Sequence, residues 1–242
     1  MSTHSLMHLY FKLAIRVHDS YLCFANAHLA AFQDGMERRN LDYQDISKRA
    51  VFSSPSSSTP SGYSYTTLSD ANLCIFSGDL NYRLDLPIEE IRSGIKARNW
   101  SDLIKGDQLK HTQREGQSLV GYSEAEISFP PTYKFDKGTD AYDSSEKERK
   151  PAWTDRVLWK VNDRYKSMDE MDDDVQMGDR CKVQVREYTS ITGIRLSDHK
   201  PVLARFGLTI PKVDKEKREL MIDELVGSQS TTRQDGEELD KP

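Results

Sequence analysis

Asp79 and Asn81 stand two positions apart, and a Ser-Gly pair separates them from a short apolar run, residues 73–76. The run has the length of a buried β-strand, and Gly78 lets the backbone turn or approach a ligand closely. Because residues i and i+2 of an extended segment point the same way, the carboxylate and the amide would face one spot. A carboxylate that accepts a proton beside an amide that holds an oxygen suits hydrolysis. The alternative is an Asp-x-Asn turn that caps its own backbone, and the local string alone favours that turn.

Other titratable side chains lie beside further predicted strands. Each of them alone is a weak signal, because a lone histidine is more often a satisfied structural residue than a catalytic one. An adjacent Asp and His at a strand end can converge, with the Asp on a metal and the His on a substrate oxygen. These groups are His28 after residues 21–26, Asp155 before residues 157–159, and Asp198 with His199 after residues 191–196.

The loop at residues 133–150 combines basic side chains with interleaved aromatic rings. Most runs of this kind are solvated charged loops. The functional alternative is a phosphate-binding rim, because ammonium and guanidinium groups bind phosphate as charged donors. The side chains concerned are Tyr133, Lys134, Lys137, Tyr142, Lys147, Arg149 and Lys150.

Composition limits the class of protein. The 242 residues are 36% apolar and 30% charged, enough for one large domain or two small ones. The net charge of −5 argues against nucleic-acid binding through overall charge. Cys23, Cys74 and Cys181 show no metal-ligand spacing and favour a reducing, cytoplasmic location. No run reaches the ~18 apolar residues of a membrane span, so any membrane contact is predicted to be peripheral.

Hydrophobic periodicity predicts the elements that would position these groups. Ile88, Ile91 and Ile95 follow Pro87 at i, i+3 and i+7, which predicts a helix with one face on the core. Strands are predicted at residues 13–17, 21–26, 73–76, 157–159, 182–188, 191–196 and 201–210, and a solvated helix at residues 37–52.

Two polar stretches interrupt the predicted domain at residues 11–211. Residues 53–69 are rich in Ser, Thr, Pro and Gly, and residues 162–180 are acidic; both are predicted to be flexible insertions. The acidic run lacks the ligand spacing of an EF-hand. Residues 212–242 are predicted to form a charged helix and a disordered tail.

The candidate groups stand in strings that are specific when taken together. These strings resemble the signature motifs of the inositol polyphosphate 5-phosphatases, which belong to the DNase I-like metal-dependent phosphoesterases. Thr154 stands where many members have cysteine, and Ala27 where a serine is usual. The strings are residues 26–31, 76–83, 151–158 and 197–202. Residues 132–134 and 147–150 resemble the family's loop that contacts the 4-phosphate, and the resemblance covers residues 13–210.

The resemblance implies an α+β fold, a two-layer β-sandwich flanked by helices. It implies magnesium-dependent hydrolysis of the 5-phosphate of phosphoinositides, such as phosphatidylinositol 4,5-bisphosphate, or of soluble inositol phosphates. Asp79 would then orient and deprotonate the attacking water, and Asn81 would hold a phosphoryl oxygen. His199 would bind or protonate an oxygen of the scissile phosphate, and Asp155 would fix its tautomer.

The same resemblance implies roles for the remaining groups. His28 would stabilise charge on the transition-state oxygens, and Asp198 would lie near the Mg²⁺. The 4-phosphate would be held by Tyr133, Lys134, Lys147, Arg149 and Lys150.

The N-terminal part of the family's domain carries an early Asn and the main metal-binding Glu, and neither has a counterpart in this sequence. Glu37 and Glu89 lie in the wrong contexts to replace that ligand. The chain is therefore expected to be N-terminally truncated relative to the family's domain. One alternative function is a catalytically inactive remnant that binds phosphoinositides or proteins. Another is a nuclease of the same superfamily, against which the Lys/Tyr loop and the net negative charge count.

Overall fold

The computed structural model describes residues 10–18, 20–55, 63–162, 181–212, 214 and 216–223. The strands are β1 (Tyr10–Val17), β2 (Ser20–Ala27), β3 (Val51–Pro55), β4 (Tyr63–Thr67), β5 (Leu73–Asp79), β6 (Ser123–Glu124), β7 (Asp155–Val161), β8 (Lys182–Ser190) and β9 (Val202–Thr209). The helices are α1 (Met36–Arg49), α2 (Ile88–Ala97), α3 (Trp100–Leu103) and α4 (Gln108–Arg114), and a 3₁₀ turn spans Ile104–Gly106. Residues 216–223 are also helical, in agreement with the predicted charged helix.

A five-stranded sheet in the order β1-β2-β5-β7-β6 organises the chain. The β2–β5 pair is parallel, and the other neighbours are antiparallel. One face of the sheet is covered by α1, through buried residues that alternate along β2 and β5, such as Cys23, Ala25, Cys74 and Phe76. Alternation with a period of two places these side chains on one face, so the chain forms strands here.

The opposite face is covered near β7 by the β8–β9 hairpin. The Trp159 ring lies 5.3 Å from the Phe206 ring, and the backbone N–H of Val157 donates to the Tyr188 hydroxyl at 3.4 Å. In the described part of the chain this hairpin is the second layer of the sandwich. The predicted α+β class is confirmed.

The helix prediction at residues 37–52 is correct in type but wrong at its end and in its solvation. Helix α1 ends at Arg49, and Val51 begins β3. Arg39, Asp42 and Ile46 of this helix are buried. Charged side chains gave the segment a polar appearance, but two of them are taken into the interior with partners.

The flexible insertion predicted at residues 53–69 contains regular secondary structure in the residues that the structure describes. β3 and β4 pair as an antiparallel hairpin, and Leu68 is buried in the main core. The amine of Lys12 donates to the carbonyl of Val51 and lies over the Phe52 ring, so the hairpin packs along β1. Residues 56–62 lie outside the described residues.

The strand predicted at residues 191–196 is wrong. β8 ends at Ser190, and the following residues form a loop in which Leu196 is 92% exposed. The buried amine of Lys200 holds this loop. It donates hydrogen bonds to the backbone carbonyls of Thr192 and Ile194 at 3.1 and 3.3 Å. These two carbonyls are therefore satisfied by a side chain and not by a neighbouring strand.

The remaining predictions fall partly outside the described residues. Residues 163–180 and 224–242 are among those not described, so the flexible acidic insertion and the disordered tail stay predictions. The three cysteines are buried and unpaired, as expected of core residues. Among the described helices, none is long and apolar enough to cross a bilayer.

Candidate active site

Five chain segments meet at one edge of the central sheet. The carboxyl ends of β2 and β5 lie side by side because the two strands are parallel, and Asp155 of β7 stands opposite Asp79 of β5. Residues 132–135 join this edge through Tyr133, which forms a bridge with His199. The sheet topology therefore gathers side chains that lie far apart in the sequence.

His199, Asp155 and two threonines form a hydrogen-bonded group. Nδ1 of His199 lies 3.0 Å from Oδ2 of Asp155, and the same oxygen accepts from the hydroxyls of Thr132 at 2.7 Å and Thr154 at 3.0 Å. Because a carboxylate can only accept, Nδ1 of the imidazole carries the hydrogen. The Nε2 atom is then left for a substrate oxygen or for Asp79, whose Oδ2 lies 3.9 Å away.

Asp79 lies between two imidazoles. Its Oδ2 is 3.4 Å from Nε2 of His28, whose side chain is 60% exposed. Burial raises the pKa of Asp79 above its ordinary value, and the charge of Asp155 adds to this effect, although both histidines act in the opposite direction. A carboxylate with a raised pKa is a better proton acceptor near neutral pH than an ordinary one.

The His199 imidazole has the opposite electrostatic role. Burial alone would lower the pKa of His199, but the hydrogen bond and the charge of Asp155, with the charges of Asp79 and Asp198, raise it above its ordinary value. The charged imidazolium is therefore favoured by its neighbours. A cationic donor at this position can bind or protonate an oxygen of an anionic substrate.

In an extended segment the Asn81 side chain would face the same spot as the Asp79 side chain, but in the structure it does not. Its φ of +57° is left-handed, and its backbone N–H donates to Oδ1 of Asp79 at 3.1 Å, which is the Asp-x-Asn turn. Its side chain is buried, with Nδ2 donating to the carbonyl of Leu29 at 3.0 Å and Oδ1 accepting from Arg83. The second N–H of the Asn81 amide has no hydrogen bond among the described residues. Contact between Asn81 and a phosphoryl oxygen stays a prediction.

The residues predicted to bind the 4-phosphate differ in their surroundings. The Tyr133 ring lies 4.7 Å from the His199 ring, so it belongs to the site itself. Lys134 and Arg149 are half-buried, and Lys147 is exposed. The amine of Lys150 donates to the backbone carbonyl of Leu86 at 2.7 Å, so part of its donor capacity is used within the protein.

Asp143 and Tyr142 hold this loop in shape. The carboxylate of Asp143 accepts the backbone N–H groups of Ser145 at 3.2 Å and Arg149 at 2.9 Å. The Tyr142 hydroxyl donates to the carbonyl of Pro131 at 2.8 Å. The basic side chains are therefore carried by a loop whose backbone is held by the side chains of Asp143 and Tyr142.

Asp79, Asp155 and His199 are the group of potential metal ligands found among the described residues, with donor atoms within 4.8 Å of one another. Two carboxylates fit Mg²⁺, which proteins commonly hold through one or two carboxylates together with water and substrate phosphates. The imidazole fits less well, because Mg²⁺ is a hard cation that prefers oxygen ligands to nitrogen. Asp198, predicted to lie near the metal, is not part of this group, and its Oδ1 lies 3.4 Å from the Ser197 hydroxyl.

Sequence reasoning gave no role to Thr132, Thr154 or Arg83, all of which contact the predicted groups. Each lies inside or beside a string that carries the family resemblance, and that membership was the available signal. The spacing of residues could not show that Thr132 reaches Asp155, because the two lie on separate segments.

A sequence model described as Endonuclease/Exonuclease/phosphatase family 2 matches residues 10–205. The chain belongs to this family. It is 36% identical over 233 residues to synaptojanin-1 of Homo sapiens, a match that covers 90% of this chain and 14% of that protein. It is 33% identical over 217 residues to the type II inositol 1,4,5-trisphosphate 5-phosphatase of Mus musculus, covering 89% of this chain and 20% of that protein.

Solved structures of the same fold agree with this assignment. The crystal structure of the inositol polyphosphate 5-phosphatase domain of SPsynaptojanin, in complex with inositol (1,4)-bisphosphate and a calcium ion, superposes with a TM-score of 0.75 at 31% identity. That match covers 95% of this chain and 59% of that one. Cimex nitrophorin, at 22% identity and a TM-score of 0.57, shares the fold alone. The resemblance to the inositol polyphosphate 5-phosphatases and the DNase I-like fold is confirmed.

Proposed function

We propose that this member of the family is a phosphoric monoester hydrolase that removes the 5-phosphate from phosphoinositides, with phosphatidylinositol 4,5-bisphosphate as the expected lipid. The observation that carries the proposal is the position of Asp79 between His28 and the His199–Asp155 pair. A proton acceptor and cationic donors gathered in one site can activate a water and balance the charge on a phosphoryl group. The inositol phosphate in the related domain supports this substrate class.

Each side chain then has a task set by its chemistry. Asp79 orients the attacking water and takes its proton, and His28 and His199 balance the charge that builds on the phosphoryl oxygens. Asp155 keeps His199 in the tautomer whose Nε2 points to the substrate, and Asn81 fixes the turn that aims Asp79. Mg²⁺ would be held by the carboxylate oxygens of Asp79 and Asp155, near Asp198, and would neutralise phosphate charge.

The basic rim would select the substrate. Lys134, Lys147 and Arg149 have amines or a guanidinium available to a 4-phosphate, and Tyr133 would pack against the inositol ring. Lys150 would contribute less, because its amine has a backbone partner. A lipid substrate also implies peripheral contact with the cytoplasmic face of a membrane.

Phosphate release from phosphatidylinositol 4,5-bisphosphate vesicles and from inositol 1,4,5-trisphosphate tests the proposal, with Mg²⁺ and with EDTA. Asp79→Asn should lower the rate by about 10²–10⁴-fold, the range of general-base catalysis, with an unchanged unfolding temperature. Asp45→Asn, on the exposed side of α1, is the matched control and should retain activity. Binding of the headgroup without release by the wild-type chain would instead favour the inactive binding module.

A further inference from the structure

Arg83 is a buried guanidinium between the catalytic turn and the substrate rim. Its side chain is attached just after the turn that follows β5, and the residue is 7% exposed. Nε donates to the backbone carbonyl of Asn81 at 3.0 Å, and Nη2 donates to Oδ1 of the same residue at 2.5 Å. On its other side the guanidinium lies 4.5 Å from the centre of the Tyr133 ring.

The charge of Arg83 has no carboxylate partner among the described residues. Its contacts are two oxygens of Asn81, both neutral, and an aromatic face. Arg39, also buried, lies close enough that its pKa falls to about 10, through its own burial and then through the charge of Arg83. An unpaired buried cation is costly, and an anion that arrives nearby lowers that cost.

Both neighbours of Arg83 are parts of the proposed machinery. Because Nη2 occupies Oδ1 of Asn81, the amide must direct its Nδ2 towards Leu29, which follows His28. The Tyr133 ring contacts both the Arg83 guanidinium and the His199 ring. One planar group thereby sets the orientation of a residue in the Asp79 turn and of a ring in the rim.

We propose that Arg83 is a positioning residue that aligns Asn81 and Tyr133 for the scissile phosphate, and that its uncompensated charge strengthens binding of the phosphorylated inositol. The inference rests on the proposed function. Its two parts are separable by substitution, because lysine keeps the charge but lacks the planar fork and the stacking face of arginine. Glutamine lacks the charge.

The test measures kcat, KM and the Kd for inositol 1,4-bisphosphate by calorimetry. Arg83→Lys should lower kcat by about tenfold or more while KM and Kd change by less than about threefold, because alignment is lost and charge is kept. Arg83→Gln should also weaken binding, by about tenfold or more, because a cation in a low-dielectric site is removed. Arg49→Lys on α1, whose arginine pairs with Asp45 at the surface, is the control and should match the wild type.

Tyr133→Leu provides a second variant that does not alter the buried charge. If the arginine acts through the ring, the fall in kcat for the double variant Arg83→Lys/Tyr133→Leu should be smaller than the product of the two single falls. Arg83→Lys with a lower unfolding temperature but wild-type kcat and KM would overturn the positioning role. Unchanged Kd in Arg83→Gln would overturn the charge role. The Kd measurement tests this role even if the wild-type chain binds inositol 1,4-bisphosphate without releasing phosphate. Binding without release would overturn the proposed function alone.

Discussion

Replacement of Glu124 by glutamine removes the centre of a buried charge network next to the site. The Glu124 carboxylate accepts Nε and Nη2 of Arg156, each at 2.6 Å, the amine of Lys110 at 2.8 Å and the hydroxyl of Tyr188 at 3.0 Å. The side chains of Glu124, Arg156 and Asp107 are all fully buried. Arg156 is adjacent to Asp155 in β7, so the network anchors the strand that carries the histidine's partner.

The size of the effect follows from what the amide cannot do. Glutamine offers one acceptor oxygen in place of two. One N–H of the Arg156 guanidinium would therefore face the amide NH₂ group, which is also a donor. Breaking a buried ion pair costs about 3–5 kcal/mol. We expect the lower end, about 3 kcal/mol, because Asp107 still accepts Nη1 of Arg156 at 2.9 Å and keeps a counter-charge. A domain typically has only about 5–15 kcal/mol of unfolding free energy.

Urea denaturation of both proteins at neutral pH measures this loss. Glu187→Gln is the matched control, because Glu187 pairs across strands with Arg205 at 3.1 Å but remains partly exposed, and its loss should be below about 1 kcal/mol. Equal losses in the two variants would refute the reasoning that the buried network, and not charge in general, stabilises the sheet edge.

The difference in unfolding free energy between the wild type and Glu124→Gln should depend on pH, and its sign follows from the pKa of Glu124. Burial alone would raise the pKa of Glu124, but the Arg156 guanidinium and the Lys110 ammonium hold it below its ordinary value. A lowered folded-state pKa contributes stability above the unfolded value, about 4.3, and this stability disappears as pH falls through the folded-state value. The difference between wild type and Glu124→Gln should therefore be full at pH 6 and shrink below about pH 4. A difference that grew on acidification would contradict the assignment.

Two further substitutions test how the site is held. Thr132→Val should lower turnover by about ten- to a hundredfold, the rate equivalent of a hydrogen bond to the charged Asp155, and Thr132→Ser should restore it in the phosphate-release assay. Gly78→Ala should cost more than about 3 kcal/mol of unfolding free energy, because φ is +127° and a Cβ would lie 2.1 Å from the carbonyl oxygen of Ala27. Gly116 also has a positive φ, but a Cβ added there would meet no other atom. Gly116→Ala should therefore lower the unfolding free energy by only about 1–2 kcal/mol.

Local patterns predicted the central sheet well, because alternation and length are properties of each strand alone. The sequence predicts β1, β2, β5 and β7 of this sheet from the residues of each strand alone. Predictions failed where a distant side chain decides the backbone. Residues 191–196 look like a strand until Lys200, buried and bonded to their carbonyls, is included.

The candidate site shows the same division. The strings that contain Asp79, Asp155 and His199 predicted a shared site, and the structure brings these three side chains together. The partners that orient them depend on three-dimensional packing. Thr132 reaches Asp155 from a separate segment, and Arg83 reaches Tyr133 across fifty positions of sequence, so no local periodicity could reveal either contact.

The Asp79–Asn81 pair resolves a choice that its local string presented as exclusive. The turn exists, since Oδ1 of Asp79 accepts the backbone N–H of Asn81. That bond uses one carboxylate oxygen and leaves Oδ2 facing His28 and His199. The left-handed Asn81, held by Arg83, keeps the turn closed. Capping of the backbone is therefore the means by which the carboxylate is aimed, and the structural and chemical interpretations of this pair describe the same hydrogen bond.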